Sequence, residues 1–404
     1  MNNTIARSRL LYNARIALPE TTADSAKLFI KEGRIAQVLD ASLDSSIQAD
    51  SKLDLNGATL FPGFIDMHIH GAVGVDVNNA TADDLRRVSE FLASKGVTAW
   101  LPTLVPGPVG QYKRAVAAIT EIIDQQRQSE GAGTSGARIL GVHYEGPFVN
   151  SEQCGALHRE HFRTFSATGD LDKLPTIQHE NAVHMMTVAP EIDGGIELIG
   201  ELRRRGWTVS IGHTRATPDV LDKAKEDGAQ HMTHFMNAMS PLHHRAPGPV
   251  GWGLLNDDIG LDVIADGIHL DPMMLKVLLR CVAPSRLALI SDAIAATGQG
   301  EGEYEIWGEK ITVQNGRTRN ARGNIAGSVI TMLDAVKTML SLGASECDVA
   351  RMSSLNPARL LGVDRDCGSI DEGKRADLVA LNSNGDVRLT MTKGEIAFDS
   401  AGHH

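Results

Sequence analysis

Two spacings of apolar residues alternate along the chain, and their order predicts the architecture. The first sixty residues hold short alternating runs: LLYNARIAL, then KLFIKEGRIAQVL with a turn at Glu32-Gly33, then LDLNGATLFPG. Apolar residues at every second position, punctuated by Gly and Asn, form hairpin strands. The last forty residues return to that spacing in GSIDEGKRADLVALN and VRLTMTKGEIAF. Residues 1–61 and 365–404 are therefore expected to build one small β-sandwich domain from both ends of the chain. His403 and His404 are either native or the stub of a tag, and are left out of this reading.

Residues 62–364 follow a different rhythm. Eight strand-like runs recur: FIDMHIHG, VTAWLPTLV, RILGVHYEGPFV, AVHMMTVAPE, WTVSIGHT, AQHMTHFMNAM, LDVIADGIHL and LALISDAIAATG. Helical spacing lies between most of them. TADDLRRVSEFLASKG has Thr81 as its N-cap, GGIELIGELRRRG ends at Gly206, and a further helix, SVITMLDAVKTMLSLG, follows the last strand. Thr217 and Pro218, then Asp271 and Pro272, supply a capping residue and a first-turn proline to two more. Eight strand-then-helix units in about 300 residues predict an α/β protein with a (β/α)8 barrel. A doubly wound sheet competes, but no G-x-G-x-x-G turn follows the first strand.

A barrel gathers its chemistry at the carboxyl ends of its strands. These strands end in His68 and His70, Glu145, His213, His234, His269 and Asp292. Residues two apart on a strand face the same way, so His68 and His70 can reach one site. A lone histidine there would be structural; this set predicts a metal centre. Imidazole and carboxylate donors suit zinc, iron, manganese or cobalt, so ligand type alone does not choose the ion. A bound divalent ion lowers the pKa of water toward about 7 and polarises a carbonyl, as hydrolysis of an amide or ester requires. Asp292 is the candidate to take the proton from water and pass it to the leaving group. His143, on the face of Glu145, is expected to support the site by hydrogen bonds and not to bind the ion. The Pro/Gly-rich connection NAMSPLHHRAPGPVG carries Asn237 and Arg245, and arginine is shaped to grip phosphate or carboxylate.

Composition narrows the class further. The chain has 404 residues, 42% hydrophobic and 22% charged, enough for one large barrel with an appendage. Its net charge of -11, with no dense Lys/Arg run, argues against nucleic acid as a partner. No run approaches the roughly 18 apolar residues of a membrane span, and the first residues lack a signal-peptide core, so a cytoplasmic protein is expected. The four cysteines are far apart and signal neither a thiolate zinc site nor a disulfide framework.

Together, PGFIDMHIHG, HYEGPFV, IGHT, THFMNAMSPLHHRAPG, ADGIHL, SDAIAATG, IAGSVITM and NPARLLGV resemble the N-acetylglucosamine-6-phosphate deacetylases of the amidohydrolase superfamily. The likeness runs in order along nearly the whole chain. Members remove acetate from the 2-acetamido group of a 6-phosphorylated hexosamine. The resemblance implies that Glu145, His213 and His234 hold the main catalytic ion. His68 and His70 match the superfamily's H-x-H, which implies room for a second ion; zinc is the first expectation. It makes Asp292 the general base and then the general acid. Asn237 and Ala238 would touch the sugar phosphate, and Arg245 and His269 would reach the phosphate of the neighbouring subunit's substrate in a homodimer. Ala326, Gly327 and Ser328 would border the sugar.

Departures bear on substrate. The family usually has G-[AT]-H ten residues after the metal glutamate, its histidine polarising the amide carbonyl. Here Gly155-Ala156-Leu157 fills those places and His158 comes one residue late, so His158 is expected to serve through a shifted loop. Arg215 stands where the family commonly has Asn, and either contacts an anionic substrate or faces solvent. N-acetylgalactosamine 6-phosphate, or another N-acetylated amino sugar, stays open as an alternative substrate. A dihydroorotase-like or hydantoinase-like site would need a lysine at the end of the fourth strand, and AVHMMTVAPE has none. A non-catalytic sugar-phosphate sensor would not need the full ligand set with Asp292.

Overall fold

Eight parallel strands form the central sheet of the computed structural model, which describes residues 8–39, 47–128 and 136–402. His403 and His404 lie outside the described residues. The strands are β1 (Phe64–Ile69), β2 (Val97–Leu104), β3 (Gly141–Glu145), β4 (Val183–Val188), β5 (Thr208–Ile211), β6 (His231–Met232), β7 (Gly260–Ile264) and β8 (Leu287–Ile290). Each pairs with the next in chain order. All eight coincide with the runs read from the sequence. A parallel bridge between Ile69 and Ala293 joins the last strand to the first and closes the barrel.

The strands are buried along their length because both faces are covered. Trp100, Tyr144, Met186 and Val209 pack outward into the large core shared with the helices, whereas Ala99, Leu101 and Met185 meet Ala358 and Leu361 in a separate cluster. Helix α1 (Ala82–Ala93) starts as expected: Thr81 and Asp84 form a reciprocal capping box. Asp271 caps α6 (Pro272–Cys281), and Thr331 caps α7 (Met332–Ser341). Thr217 precedes α4 (Pro218–Glu226) without a capping hydrogen bond from its side chain. Helix α3 (Gly195–Arg204) stops two residues before Gly206.

Two helices and one small sheet are among the elements that escaped the sequence pattern. Helix α2 (Val109–Gln128) follows Pro-Gly-Pro, and no side-chain cap announces it. Helix α5 (Gly248–Leu255) begins within the supposed connection after β6; three glycines in GPVGWGLL hide it from propensity. A three-stranded antiparallel sheet (Gly302–Ile306, Glu309–Gln314, Arg317–Arg319) stands between β8 and α7.

The second β domain draws strands from both ends of the chain. Strand Thr59–Pro62 lies between Ser8–Ala17, which it pairs in parallel, and Leu378–Leu381, which it pairs antiparallel. Its core is separate and includes Leu11, Ile16, Leu28, Leu60, Leu378 and Leu389. The chain passes from Pro62 through Gly63 directly into β1, so this domain anchors the strand that carries His68 and His70. The four cysteines are free, and no described helix is long and apolar enough to cross a membrane.

The start of β3, Gly141, sets the position of Glu145, four residues along. A Cβ at Gly141 would stand 1.9 Å from the carbonyl oxygen of Val183, and backbone cannot swing aside. Gly141→Ala is expected to lower unfolding free energy by about 1–3 kcal/mol. A denaturant midpoint equal to that of the parent would contradict this packing.

Candidate metal centre and active site

The barrel places its chemistry by a repeated local device. His213, His234 and Asp292 each follow the last residue of their strand by two positions. Each has positive φ, at 49°, 30° and 50° respectively. A left-handed backbone is unfavourable for such residues and persists where surrounding bonds compel it. At His213 those bonds are visible. Its Nδ1 faces the carbonyl of Gln153 at 2.7 Å, while Glu191 accepts from Thr214 Oγ1 and from the Arg215 N–H, both at 2.6 Å. At Asp292 the backbone N–H donates to His68 O at 2.9 Å, and its carbonyl accepts from Ser328 at 2.7 Å.

These turns bring six side chains to one buried point. Glu145 Oε1 lies 2.9 Å from His213 Nε2 and 3.0 Å from His234 Nε2, and those two nitrogens are 3.2 Å apart. Glu145 Oε2 lies 3.3 Å from His70 Nε2, which is 3.2 Å from His68 Nε2. Asp292 Oδ1 completes the group, 3.1 Å from His70 Nε2 and 3.5 Å from His68 Nε2. Two triads able to hold an ion thus share Glu145: His68, His70 and Glu145, and Glu145, His213 and His234.

The donor set fits a divalent cation. Nitrogens and oxygens held at about 2.1 Å from one ion stand roughly 3.0–3.4 Å from each other, close to the spacing seen here. The Nδ1 atoms of His213 and His70 face backbone carbonyls, at 2.7 Å and 3.1 Å. A proton on Nδ1 leaves the lone pair on Nε2, pointing inward. Burial opposes ionisation of Glu145, yet the surrounding imidazoles of His68, His213, His234 and His70 hold its carboxyl well below the usual range. Burial also works against a charged His70, yet hydrogen bonds to Asp292 and Glu145 push it up to about 10. Negative potential at this point calls for positive charge, which a metal ion would supply.

Beneath the ligands runs a polar belt. His143 Nε2 lies 2.9 Å from Thr187 Oγ1, which meets Thr233 Oγ1 at 2.8 Å, and Thr233 reaches Ser210 Oγ at 2.6 Å. Burial lowers the His143 pKa to about 3, and its ring stands edge-on to that of His68 at 4.8 Å. His143 therefore supports the cluster as a neutral residue. Asp66 does similar work from β1, accepting from Ser291 Oγ at 2.5 Å. Burial pushes its carboxyl up to about 7. Neither Asp66 nor Glu191 was anticipated; both follow apolar runs without a motif, and only the strand register exposes their roles.

The remaining expected residues lie around this centre. Asn237 and Ala238 are half-buried beside the His213 turn, where Thr214 donates to Ala238 O at 3.1 Å. Ala326, Gly327 and Ser328 run against Asp292: a Cβ at Gly327 would meet Asp292 O at 2.8 Å. Arg245 sits in an exposed segment, residues 241–247, apart from both triads. His269 lies 2.7 Å from Asp266 and belongs to neither triad. His158 places Nδ1 3.2 Å from Glu160 and Nε2 4.0 Å from Glu309, and is also outside the triads. Leu157 is buried, with Cys154 and Ala156 of the same loop, whereas His158 is half-buried. Arg215 is ion-paired with Glu152.

Comparison with known proteins shows what the chain as a whole is similar to. The sequence model of the amidohydrolase family matches residues 59–397. The N-acetylgalactosamine-6-phosphate deacetylase of Escherichia coli O157:H7 is 34% identical over 96% of this chain and 99% of its own. The N-acetylglucosamine-6-phosphate deacetylase of Bacillus subtilis (strain 168) is 34% identical over 98% of each. Among solved structures, a variant of the Mycobacterium smegmatis N-acetyl-D-glucosamine-6-phosphate deacetylase, in complex with N-acetyl-D-glucosamine-6-phosphate, superposes with a TM-score of 0.84 and 31% identity, covering 96% of this chain and 99% of its own.

The shared carboxylate makes metal content the direct readout of this geometry. Glu145→Ala and His213→Ala are expected to lose at least one equivalent of bound metal by plasma mass spectrometry, whereas His269→Ala keeps the full content. Full content in Glu145→Ala would contradict the assignment. Loss of one equivalent, out of two, in a His68→Ala/His70→Ala double variant would mark the second triad as a separate site.

Proposed function

The chain belongs to the amidohydrolase family, and from that premise we propose that it removes acetate from N-acetylglucosamine 6-phosphate, giving glucosamine 6-phosphate in amino-sugar breakdown. The observation that carries this reading is the position of Asp292. It is a buried carboxylate touching the ligand cluster from the opposite side of the barrel seam, where a proton can pass between water and a leaving nitrogen. Glu145, His213 and His234 would hold a divalent ion, with His68 and His70 offering a second position; zinc suits the set. Such an ion supplies Lewis acidity, lowering the pKa of water and polarising an amide carbonyl.

The chain's own residues do the rest. Asp292 accepts the proton of the attacking water, holds it, and delivers it to the amide nitrogen so that the amine departs neutral. The backbone bonds to His68 and Ser328 fix its carboxylate, so little reorganisation accompanies the transfer. His158 is the residue proposed to meet the carbonyl oxygen, which requires it to turn from Glu160. Asn237 and Ala238 would orient the sugar phosphate, and Ala326, Gly327 and Ser328 would border the ring. Arg245 and His269 would serve the phosphate of a neighbouring subunit. The exposure of Arg245 on a projecting segment, with Leu242 54% exposed beside it, fits a homodimer in which that segment reaches across. A charged sugar phosphate as substrate fits a cytoplasmic enzyme.

The second reading, N-acetylgalactosamine 6-phosphate, is favoured by the E. coli O157:H7 relative, as similar to this chain as the B. subtilis enzyme. Kinetics on the two epimers and their unphosphorylated sugars separate these readings. The gluco epimer is expected to give the higher kcat/KM, and equal use of unphosphorylated sugar would overturn the phosphate reading. Asp292→Asn should keep its metal while kcat falls by about 10²- to 10⁴-fold; undiminished turnover would refute the proton route. Arg245→Ala should raise KM for the phosphorylated sugar by roughly 10- to 100-fold with kcat little changed.

A further inference from the structure

Five two-residue hairpin turns among the described residues have positive φ at both positions: Glu32-Gly33, Val73-Gly74, Trp307-Gly308, Asn315-Gly316 and Lys393-Gly394. Such turns favour Asn, Asp or Gly first, because a bulky side chain is strained in that backbone. Three of the five begin with a polar residue. Val73 and Trp307 do not, and Trp307, the larger of the two, stands with φ 55° at the tip of the first hairpin of the three-stranded sheet. The next turn of the same sheet, Asn315-Gly316, shows what the backbone alone would select. A tryptophan held at such a strained tip calls for an explanation in what its ring touches.

The ring lies over the metal centre. Its centroid is 5.2 Å from that of His70, edge to face at 87°. Among the described residues, the other ring contacts of the four ligand histidines are with histidines, so Trp307 is the one apolar ring against them. It packs against the cluster of Val105, Val149, Leu157 and Ala189, residues just beyond β2, β3 and β4 and in the loop after β3. It also packs against the cluster holding Ala156, Ile294 and Ala326, so it joins both apolar patches that flank the ligands. The hairpin is pinned in place: Arg322 and Asn324, just beyond the sheet, donate to the carbonyls of Ala156 and Gly155, at 2.7 Å and 2.8 Å.

We propose that Trp307 is a specificity-determining residue whose indole, with Leu157, forms the end wall of the pocket for the acyl methyl group. This rests on the deacylase reading above. The acyl substituent is bonded to the carbon under attack, so it lies within about 1.5 Å of the reacting centre, and it is apolar. The ligand set itself is imidazole and carboxylate, and Trp307 and Leu157 belong to the apolar patches beside it. A rigid indole there limits depth and selects acetyl over longer acyl groups. It also covers the His70 side of the cluster from water.

The test compares N-acetyl, N-propionyl and N-butyryl glucosamine 6-phosphate as substrates of the metal-loaded parent, Trp307→Ala, Trp307→Phe and Leu157→Ala. One methylene in an apolar pocket changes kcat/KM by about 10- to 200-fold. The parent is expected to discriminate against propionyl by at least roughly tenfold. Trp307→Ala should erase or invert that ratio, with Trp307→Phe and Leu157→Ala intermediate. A wall that only supports the fold would lower all three substrates in parallel. Parallel loss, or an unchanged ratio in folded variants, overturns this inference. Should Trp307→Ala not fold, Trp307→Phe and Leu157→Ala decide by the same ratio. A parent inactive on every acyl sugar would overturn the deacetylase reading and this inference with it, whereas an active parent with insensitive variants would overturn this inference alone.

Discussion

The site depends on the seam where the eighth strand meets the first. Barrel closure makes backbone neighbours of residues more than two hundred positions apart: the Asp292 N–H donates to His68 O, and the His70 N–H donates to Ala293 O. The buried Asp66 carboxylate accepts from the Ser291 hydroxyl and amide across the same join. Asp292, proposed to transfer the proton, and His68 and His70, proposed to hold an ion, are therefore held by one hydrogen-bonded edge, not by separate loops. Such a seam keeps reacting groups within tenths of an ångström, which oriented catalysis requires.

Glu145 is the second constraint. One carboxylate faces four imidazole nitrogens, and its charge is held by them despite full burial. An uncompensated charge there would cost several kcal/mol, so the fold tolerates the cluster only because each member answers another. The hydroxyl belt from His143 through Thr187 and Thr233 to Ser210 continues that balance below, while the Nδ1 contacts of His213 and His70 with backbone carbonyls leave their Nε2 atoms pointing at the centre.

Much of this was legible in the sequence, for physical reasons. Buried parallel strands must be apolar along their length, so all eight could be located, and of the side chains read at their ends all but His269 meet at one buried point. Parity placed His68 and His70 on one face. What escaped falls into two kinds. Helix α5 carries too much glycine to register as a helix, and the hairpin sheet, although it alternates at Tyr304, Ile306, Ile311 and Val313, falls outside the eight-unit rhythm. Asp66, Glu191 and Trp307 matter only through partners distant in the chain, and no local spacing encodes those. The loop after Glu145 shows the boundary well: the sequence offered His158, and the fold turns Leu157 inward while His158 faces Glu160.

The central claim is that these converging side chains act through a bound divalent ion on an acetylated amino-sugar phosphate. Its most direct test is acetate release from N-acetylglucosamine 6-phosphate as zinc is returned stepwise to chelator-stripped protein. The account predicts no release from stripped protein and a linear rise that breaks at one or two equivalents. Full release from stripped protein, with no response to added metal, would contradict it.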